Sequence, residues 1–378
     1  MAAKPTVIIV TERLLFPGRE GTRVRIVELI RGLRAAGYSV ALVARRPREW
    51  ANIVRTRLLV DRLILVDAPG FGGGSPLSFD AAPFAAALDR AVTALRPRAV
   101  LAEYLWMAPC LDVVGSRALR CVDTIDLMHP RAAMYAGEGQ GAWVTCSPEE
   151  ESALLRRADV VIAIQRTELA EFRAMVPDRR VICLPHGLTV EPVRPSTGRA
   201  GSPEAVMFVG SVNQGNAAGL QWFLRECWPE VRAARPNAEL RLYGDVVKRL
   251  PPSDLDGVQR IGYIPSLRDA YADAHVVINP VMLGTGLKIK TVEALAYGRA
   301  VVTTSVGAEG LEDAAGDAFL LEDESGGFAA GVARLLGDGA LRRSLERRGR
   351  ALAEARFSRR AALAELHDLL QLRGSGAA

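Results

Sequence analysis

Two doubly wound α/β domains, each a parallel sheet flanked by helices, are what this sequence predicts, and three observations carry the expectation. Short β-branched runs alternate with helical patterns from end to end, the sign of strand–helix–strand units. The chain has 378 residues, enough for two cores. A stretch rich in Pro, Gly, Ser and Thr and without periodicity, residues 185–203, interrupts the alternation as a linker would.

In order, the first series reads strand 6–10, helix 22–36, strand 39–43, strand 62–66, helix 79–95, strand 99–102, strand 120–123, helix 148–157, strand 160–164, helix 167–175 and strand 181–184. The second reads strand 205–209, helix 217–234, strand 239–243, strand 258–261, helix 267–272, strand 276–279, helix 288–296 and strand 300–304, then helices 326–337, 341–357 and 359–372. The expected division is a domain over 1–190, a linker over 191–204, a domain over 205–356, and a helix with a polar tail over 357–378 that packs back on the first domain. Ligands of open parallel sheets bind beyond the carboxyl ends of the strands, so two such domains are expected to face each other across a cleft.

Composition excludes several classes. Hydrophobic residues at 49% and charged residues at 24% fit an ordinary globular chain. Five scattered cysteines without a Cys-x-x-Cys pair argue against a disulfide framework and a structural zinc site, and are read as reduced core thiols. The longest uncharged apolar run, 274–287, contains Asn279, Pro280, Gly284 and Gly286 and falls short of the ~20 residues of a membrane span. The beginning shows no apolar helix leading to a cleavage site, so a cytoplasmic protein is expected.

The net charge of +5 lies wholly in residues 1–190, and residues 1–60 hold 12 basic against 4 acidic side chains. That half is expected to meet something anionic: a phosphate-bearing ligand near Arg19, Arg23 and Arg25, or, through Arg45, Arg46 and Arg48, an anionic membrane surface in weak peripheral contact. Plain arginine bias is the alternative. Nucleic acid is not expected, since the arginines are not interleaved with aromatic side chains.

Two loop–helix units carry chemistry. The loop 16–22, with Gly21, feeds a helix N-terminus that could cradle a phosphate, although a plain turn with Thr22 as N-cap fits as well. More informative is the segment 279–308. A strand ends at Asn279, a Gly-Thr-Gly loop follows, and a helix opens with Lys288 and Lys290, closed by Gly298. Basic residues in a first turn oppose the helix dipole, so an anion docked on N–H groups of Thr285, Gly286 and Leu287, with Thr291 beside them, is the better account. Glu293 can then hold a sugar diol. No Gly-x-Gly-x-x-Gly or Walker loop occurs, which disfavours dinucleotide oxidoreductases and nucleotide hydrolases. Asp123, Asp126, His129 and Arg131 follow a strand end and are read as a functional cluster, whereas Glu149, Glu150 and Glu151 are read as complementing a helix dipole. His186 is left nearer a structural role, and His275 and His367 are read as structural.

The segment resembles the donor site of retaining GT-B glycosyltransferases, especially glycosyltransferase family four. Lys290, Glu293, Ala294, Leu295, Ala296, Gly298, Val301, Val302 and Thr304 match its signature, and Gly307-Ala308-Glu309-Gly310-Leu311, Gly262-Tyr263-Ile264-Pro265, Pro185-His186-Gly187 and Phe208-Val209-Gly210-Ser211 match further landmarks. The resemblance implies a GT-B fold and transfer of a sugar from a nucleoside diphosphate sugar to an acceptor hydroxyl, without metal or cofactor. It implies that Lys288 and Lys290 stabilise the leaving diphosphate, that Glu293 holds the ribose, that Tyr263 and Ile264 read the base, that Gly210 and Ser211 line the nucleotide, and that Asp126 and His129 act on the acceptor side. Two positions depart from the family: Thr285 stands where a first glutamate is usual, and the loop after Gly210 lacks the usual Arg and Lys. The alternatives are a GT-B sugar-nucleotide epimerase or hydrolase, and a non-catalytic scaffold that binds sugar nucleotides.

Overall fold

The central strands of each sheet are buried on both faces, as parallel strands covered by helices must be, and the edge strands are partly exposed. The structure, a computed structural model, describes residues 4–16, 21–136, 143–190, 204–251 and 255–375. The loop 17–20 with Arg19, the linker residues 191–203 and the tail 376–378 lie outside the described residues. The chain divides into two units, Met1–Gly187 with Arg359–Ala378, and Leu188–Ser358.

In the first unit β1 (Thr6–Thr11), β2 (Ser39–Arg45), β3 (Arg62–Val66), β4 (Ala99–Glu103), β5 (Leu119–Asp123), β6 (Val160–Ala163) and β7 (Arg180–Cys183) form a parallel sheet in the order β3-β2-β1-β4-β5-β6-β7. Its helices are α1 (Gly21–Ala35), α2 (Trp50–Leu59), α3 (Ala82–Leu95), α4 (Arg131–Ala136), α5 (Pro148–Leu155) and α6 (Arg166–Met175). Strand order reverses between β1 and β4, the place where doubly wound sheets open a crevice.

The second unit repeats the plan with β8 (Glu204–Val209), β9 (Ala238–Tyr243), β10 (Val258–Gly262), β11 (Val276–Asn279), β12 (Ala300–Thr303) and β13 (Leu320–Leu321) in the order β10-β9-β8-β11-β12-β13. Around it lie α7 (Gln214–Trp222), α8 (Trp228–Ala234), α9 (Arg268–Asp273), α10 (Ile289–Ala296), α11 (Ser325–Gly337) and α12 (Gly339–Phe357). Here the order reverses between β8 and β11.

The chain's last helices, α13 (Arg359–Ala362) and α14 (Ala364–Ser375), complete the first unit. Leu363, Leu366, Leu369 and Leu370 join the core formed by α1 and β1. A Cβ on Gly32 of α1 would collide with Leu363, Arg359 pairs with Glu28 at 2.6 Å, and Arg98 donates to the Leu370 carbonyl at 3.0 Å.

Three local differences from the sequence reading have physical causes. The helix expected over 217–234 is broken by a π-turn at Phe223–Cys227, because Pro229 lacks an N–H and its ring displaces the carbonyl four residues back. The glycine run 70–74, which reads from sequence as a mobile loop rather than a phosphate cradle, is pinned: the Gly74 N–H donates to the Trp143 carbonyl at 2.8 Å, and Trp143 Nε1 donates to the Gly72 carbonyl at 3.2 Å. Helix α2, absent from the sequence reading, turns its apolar stripe of Trp50, Val54 and Leu58 outward. The five cysteines are free thiols, and burial pushes Cys110, Cys146 and Cys227 up to about 12.

Candidate functional site: a lysine at the second switch point

Loops that leave β8, β9 and β10 stack against one another. Val246 N donates to the Gly210 carbonyl at 3.2 Å, and Gly244 N donates to the Gly262 carbonyl at 2.7 Å. Gly244 has φ +87°, and a Cβ there would strike the Gly210 carbonyl, so only glycine fits. Ser211 follows Gly210, and the exposed Tyr263 and half-buried Ile264 follow Gly262. From the other side of the switch point comes the loop after β11. Close packing brings it in: a Cβ on Gly219 of α7 would collide with the Pro280 carbonyl, and one on Gly215 would lie 2.7 Å from the Leu283 carbonyl.

That loop delivers the two lysines differently. Lys288 is the N-cap of α10 and turns back on its own loop, donating to the carbonyls of Gly284 at 3.2 Å and Gly286 at 2.7 Å and pairing with Glu309 at 2.9 Å. The reading that places it within a first helical turn is corrected: it is the cap, held by carbonyls of its own loop and charge-balanced by Glu309 from the segment after β12. Lys290 lies within the first turn and crosses the switch point. Its Nζ donates to Asn216 Oδ1 and sits 4.7 Å from the centre of the Phe208 ring. Asn216 Nδ2 donates in turn to the Ser211 carbonyl at 3.1 Å. Burial first, then the neighbouring Lys288, against the pull of Glu293, lowers the Lys290 ammonium to about 7. An amine so disposed gains strongly from an anion.

Glu293 accepts from the buried Tyr271 hydroxyl at 3.5 Å, and Tyr271 stacks on Tyr297 with centroids 4.5 Å apart. Burial, Glu293 and Tyr297 hold the Tyr271 phenol well above its usual range. Thr285 and Gly286 stay in the loop, Gly286 with φ +79°, and Leu287 is buried. Thr291 is a correction. It is 1% exposed, its hydroxyl donates to the Gly307 carbonyl at 2.8 Å and accepts from Asn279 at 2.8 Å, and its N–H goes to the Lys288 carbonyl at 2.9 Å. It ties α10 to the sheet and has no hydrogen left for a nucleotide.

In the first unit, Asp126 pairs with Arg131 at 2.7 Å. His129 rests on Glu151, the residue read from sequence as dipole complementation. The Glu151 side chain is wholly buried and accepts from Met128 N at 2.9 Å and His129 N at 2.8 Å, while His129 Nδ1 lies 2.8 Å away. A carboxylate only accepts, so the shared hydrogen sits on Nδ1, and Nε2 is the ring nitrogen not engaged by Glu151. Glu150 does the helix-start work in a capping box with Ser147, and the Glu149 carboxyl beside it is lowered by hydrogen bonds from Ser147 and from its own backbone N–H. Gly21 begins α1, and Thr22 Oγ1 meets the Tyr104 hydroxyl at 2.6 Å, which burial keeps up at about 12.

Two more expectations, for Arg25 and Asp123, are corrected. Arg25 is no anion receptor: it is 1% exposed, holds Asp123 through bonds of 3.0 and 2.9 Å, and donates to the Leu184 carbonyl at 2.8 Å. Asp123 is thereby removed from the functional cluster. His186 is buried, and burial followed by Arg25 lowers it to about 3, so it is a neutral interior residue. Sequence reasoning missed Asn216, Glu151 and Tyr271. Only Asn216 left a signal, the Asn213-x-x-Asn216 helix start in which Asn213 accepts from Asn216 N at 2.8 Å. Among the described residues, no three His, Cys, Asp or Glu side chains gather as a metal-binding group.

Two doubly wound sheets, one with a lysine and glycine loops meeting at its switch point, define a nucleotide-binding α/β protein of the GT-B class. Residues 203–338 match the family model "Glycosyl transferases group 1", and residues 20–187 match "Glycosyl transferase 4-like domain". Between them the matches take in most of both units, and the chain is a GT-B glycosyltransferase. A solved sucrose-phosphate synthase from Thermosynechococcus elongatus has the same fold, with TM-score 0.73 and 18% identity over 99% of this chain and 100% of that one. So do the pneumococcal O-GlcNAc transferase GtfA in complex with UDP and GlcNAc, at TM-score 0.72 and 10% identity over 98% and 99%, and Anabaena HepE with UDP and glucose, at 0.67 and 13% over 97% and 99%. An uncharacterized 44.6 kDa protein in the cps region of Klebsiella pneumoniae is 29% identical over 136 residues, 33% of this chain, so the match spans about a third (35%) of that relative's length.

Proposed function

We propose that the chain is a retaining glycosyltransferase that moves a sugar from a nucleoside diphosphate sugar to an acceptor hydroxyl. One observation carries this reading: Lys290 reaches from the start of α10 across the β8/β11 switch point to Asn216 and the Gly210–Ser211 turn. The loop after Gly210 has no Arg or Lys of its own, and Lys290 brings a cation to it through Asn216. The leaving diphosphate gains negative charge as the glycosidic bond breaks, so a desolvated cation and the N–H groups of the adjoining glycine loop favour the transition state over the ground state. Side chains would balance that charge in place of a metal ion. Lys288 joins once a phosphate competes with Glu309 for its ammonium.

Glu293, oriented by Tyr271, holds the ribose diol, and the turn at Tyr263 and Ile264 meets the base. In the first unit the Nε2 of His129 and the carboxylate of Asp126 are the groups offered to the acceptor. GtfA and HepE were solved with UDP, which makes uridine diphosphate sugars the first to test. In this reading the protein works in the cytoplasm, in glycan synthesis, with reversible contact to the membrane through its first unit. The test is a thermal-shift screen of nucleoside diphosphate sugars followed by acceptor assays on those that bind. One donor should raise the midpoint of wild type, and with that donor Lys290→Ala should lose far more in turnover than in binding. Unchanged turnover by a folded Lys290→Ala would defeat the assignment.

A further inference from the structure

Helix α2 is folded inside out. Asn52 and Thr56, four residues apart, face the protein and are 7% and 3% exposed. Their polar groups are already satisfied locally, Thr56 Oγ1 by the Asn52 carbonyl at 2.7 Å and Asn52 Nδ2 by Glu49 at 2.9 Å. Leu59 adds the inward apolar contact. The outward face carries Trp50, Val54 and Leu58 at 74%, 39% and 76% exposure, one above another at i, i+4 and i+8. Trp50 and Leu58 are the two most exposed large apolar side chains among the described residues. An amphipathic pattern read on the usual rule would put this stripe in the core, and the structure turns it outward instead.

Arginines rim the stripe. At 3.6 residues per turn Arg57 falls beside Trp50 on one flank and Arg55 beside Leu58 on the other. Both are exposed, as are Arg48 before the helix and Arg62 after it. Residues 45–62 hold six arginines against Glu49 and Asp61. Not all of the six are available: Arg46 pairs with Asp67 at 2.7 Å, and Arg45 is half-buried against Gly70. The patch expected from sequence at Arg45, Arg46 and Arg48 is therefore displaced along the chain, onto the helix.

We propose that α2 is a membrane-docking helix, lying flat on an anionic leaflet with Trp50, Val54 and Leu58 sunk to the acyl boundary and Arg48, Arg55, Arg57 and Arg62 at the lipid phosphates. The chemistry favours lipid over a protein partner. Ten residues make a helix of ~15 Å, and three side chains fall far short of the roughly 800 Å² per partner of a stable protein interface. A tryptophan-bearing apolar strip edged by cations suits shallow insertion assisted by charge. The proposal deepens the membrane contact of the reading above and is independent of the sugar-transfer chemistry.

The test is co-sedimentation of the full chain with vesicles of phosphatidylcholine alone and of phosphatidylcholine mixed with phosphatidylglycerol, at low and high salt. Wild type should pellet with the mixed vesicles at low salt and little with phosphatidylcholine. A Trp50→Ser, Leu58→Ser variant and an Arg48→Ser, Arg55→Ser, Arg57→Ser variant should each lose this, the arginine variant by on the order of 100-fold in partitioning. Leu372→Ser, a change at an exposed leucine on α14, should pellet like wild type. Thermal shift with UDP on every variant reports folding and nucleotide binding separately. Failure of wild type to pellet, or equal pelleting by the Trp50/Leu58 variant, would overturn the proposal. So would a wild-type dimer that the same variant abolishes in the absence of lipid, which would make the stripe a contact with a second copy.

Discussion

Arg25 and Lys290 occupy comparable places, each in the first turns of a helix at the carboxyl edge of a parallel sheet, and their surroundings could hardly differ more. Arg25 has a buried carboxylate of its own in Asp123 and a carbonyl in Leu184. Burial pulls its pKa down, but Asp123 overrides this and the guanidinium is held above its usual range. Lys290 has a neutral amide, an aromatic face and a second lysine close by, and is lowered. A cation that brings its own anion is structural. A cation left short of one is waiting for a ligand.

Breaking the structural pair should have the largest effect. Arg25→Ala leaves Asp123 as an uncompensated buried charge beside Glu103, which is itself kept well above the carboxylate range by burial and by Asp123. Stability should fall by about 3–5 kcal/mol in a denaturant titration, and Arg25→Met with Asp123→Leu should regain much of it. Next comes Lys290→Ala, with turnover lowered on the order of 100-fold, or ~2.7 kcal/mol, and an unfolding midpoint at or above that of wild type. A loss of stability comparable to that of Arg25→Ala would show that the two cations are alike after all.

Smaller still is Glu293→Gln, which should weaken nucleotide binding by about 1–3 kcal/mol through the lost charge-assisted bond to the ribose. A titration against the 2′,3′-dideoxy form of the nucleotide checks this, since wild type and variant should bind that form equally. The smallest effect sharpens the comparison through pH. The folded-state value of Lys290, about 7, lies below that of an unfolded lysine, ~10.4, so across that window the unfolded chain holds the extra proton and stability rises with pH. Lys290→Met should flatten that rise. Sugar-nucleotide binding above pH 7 should take up a proton, readable as a buffer-dependent binding enthalpy.

Much of the fold was legible because it is local. Alternation of β-branched and helical patterns placed the strands and most helices, Gly298 marked the end of α10, and Lys290 and Glu293 stood in a recognisable loop–helix unit. The sheet orders and their switch points followed from how those strands pair, which no single segment states. The break at Pro229 could have been read from the residue alone, whereas the inside-out α2 contradicts the pattern on which such reading depends.

What the sequence by itself determined was which groups are present and which lie within a few residues of one another: the capping box at Ser147 and Glu150, the glycine loops, the paired lysines. Tertiary structure decided which of those groups are already satisfied. Arg25 finds Asp123 98 positions away, Lys290 finds Asn216 74 positions away, and His129 finds Glu151 across 22. The reason is physical. A charge in the interior is fixed in role by whatever polar group shares its few ångströms of low dielectric, and that neighbour is chosen by the packing of sheets and helices.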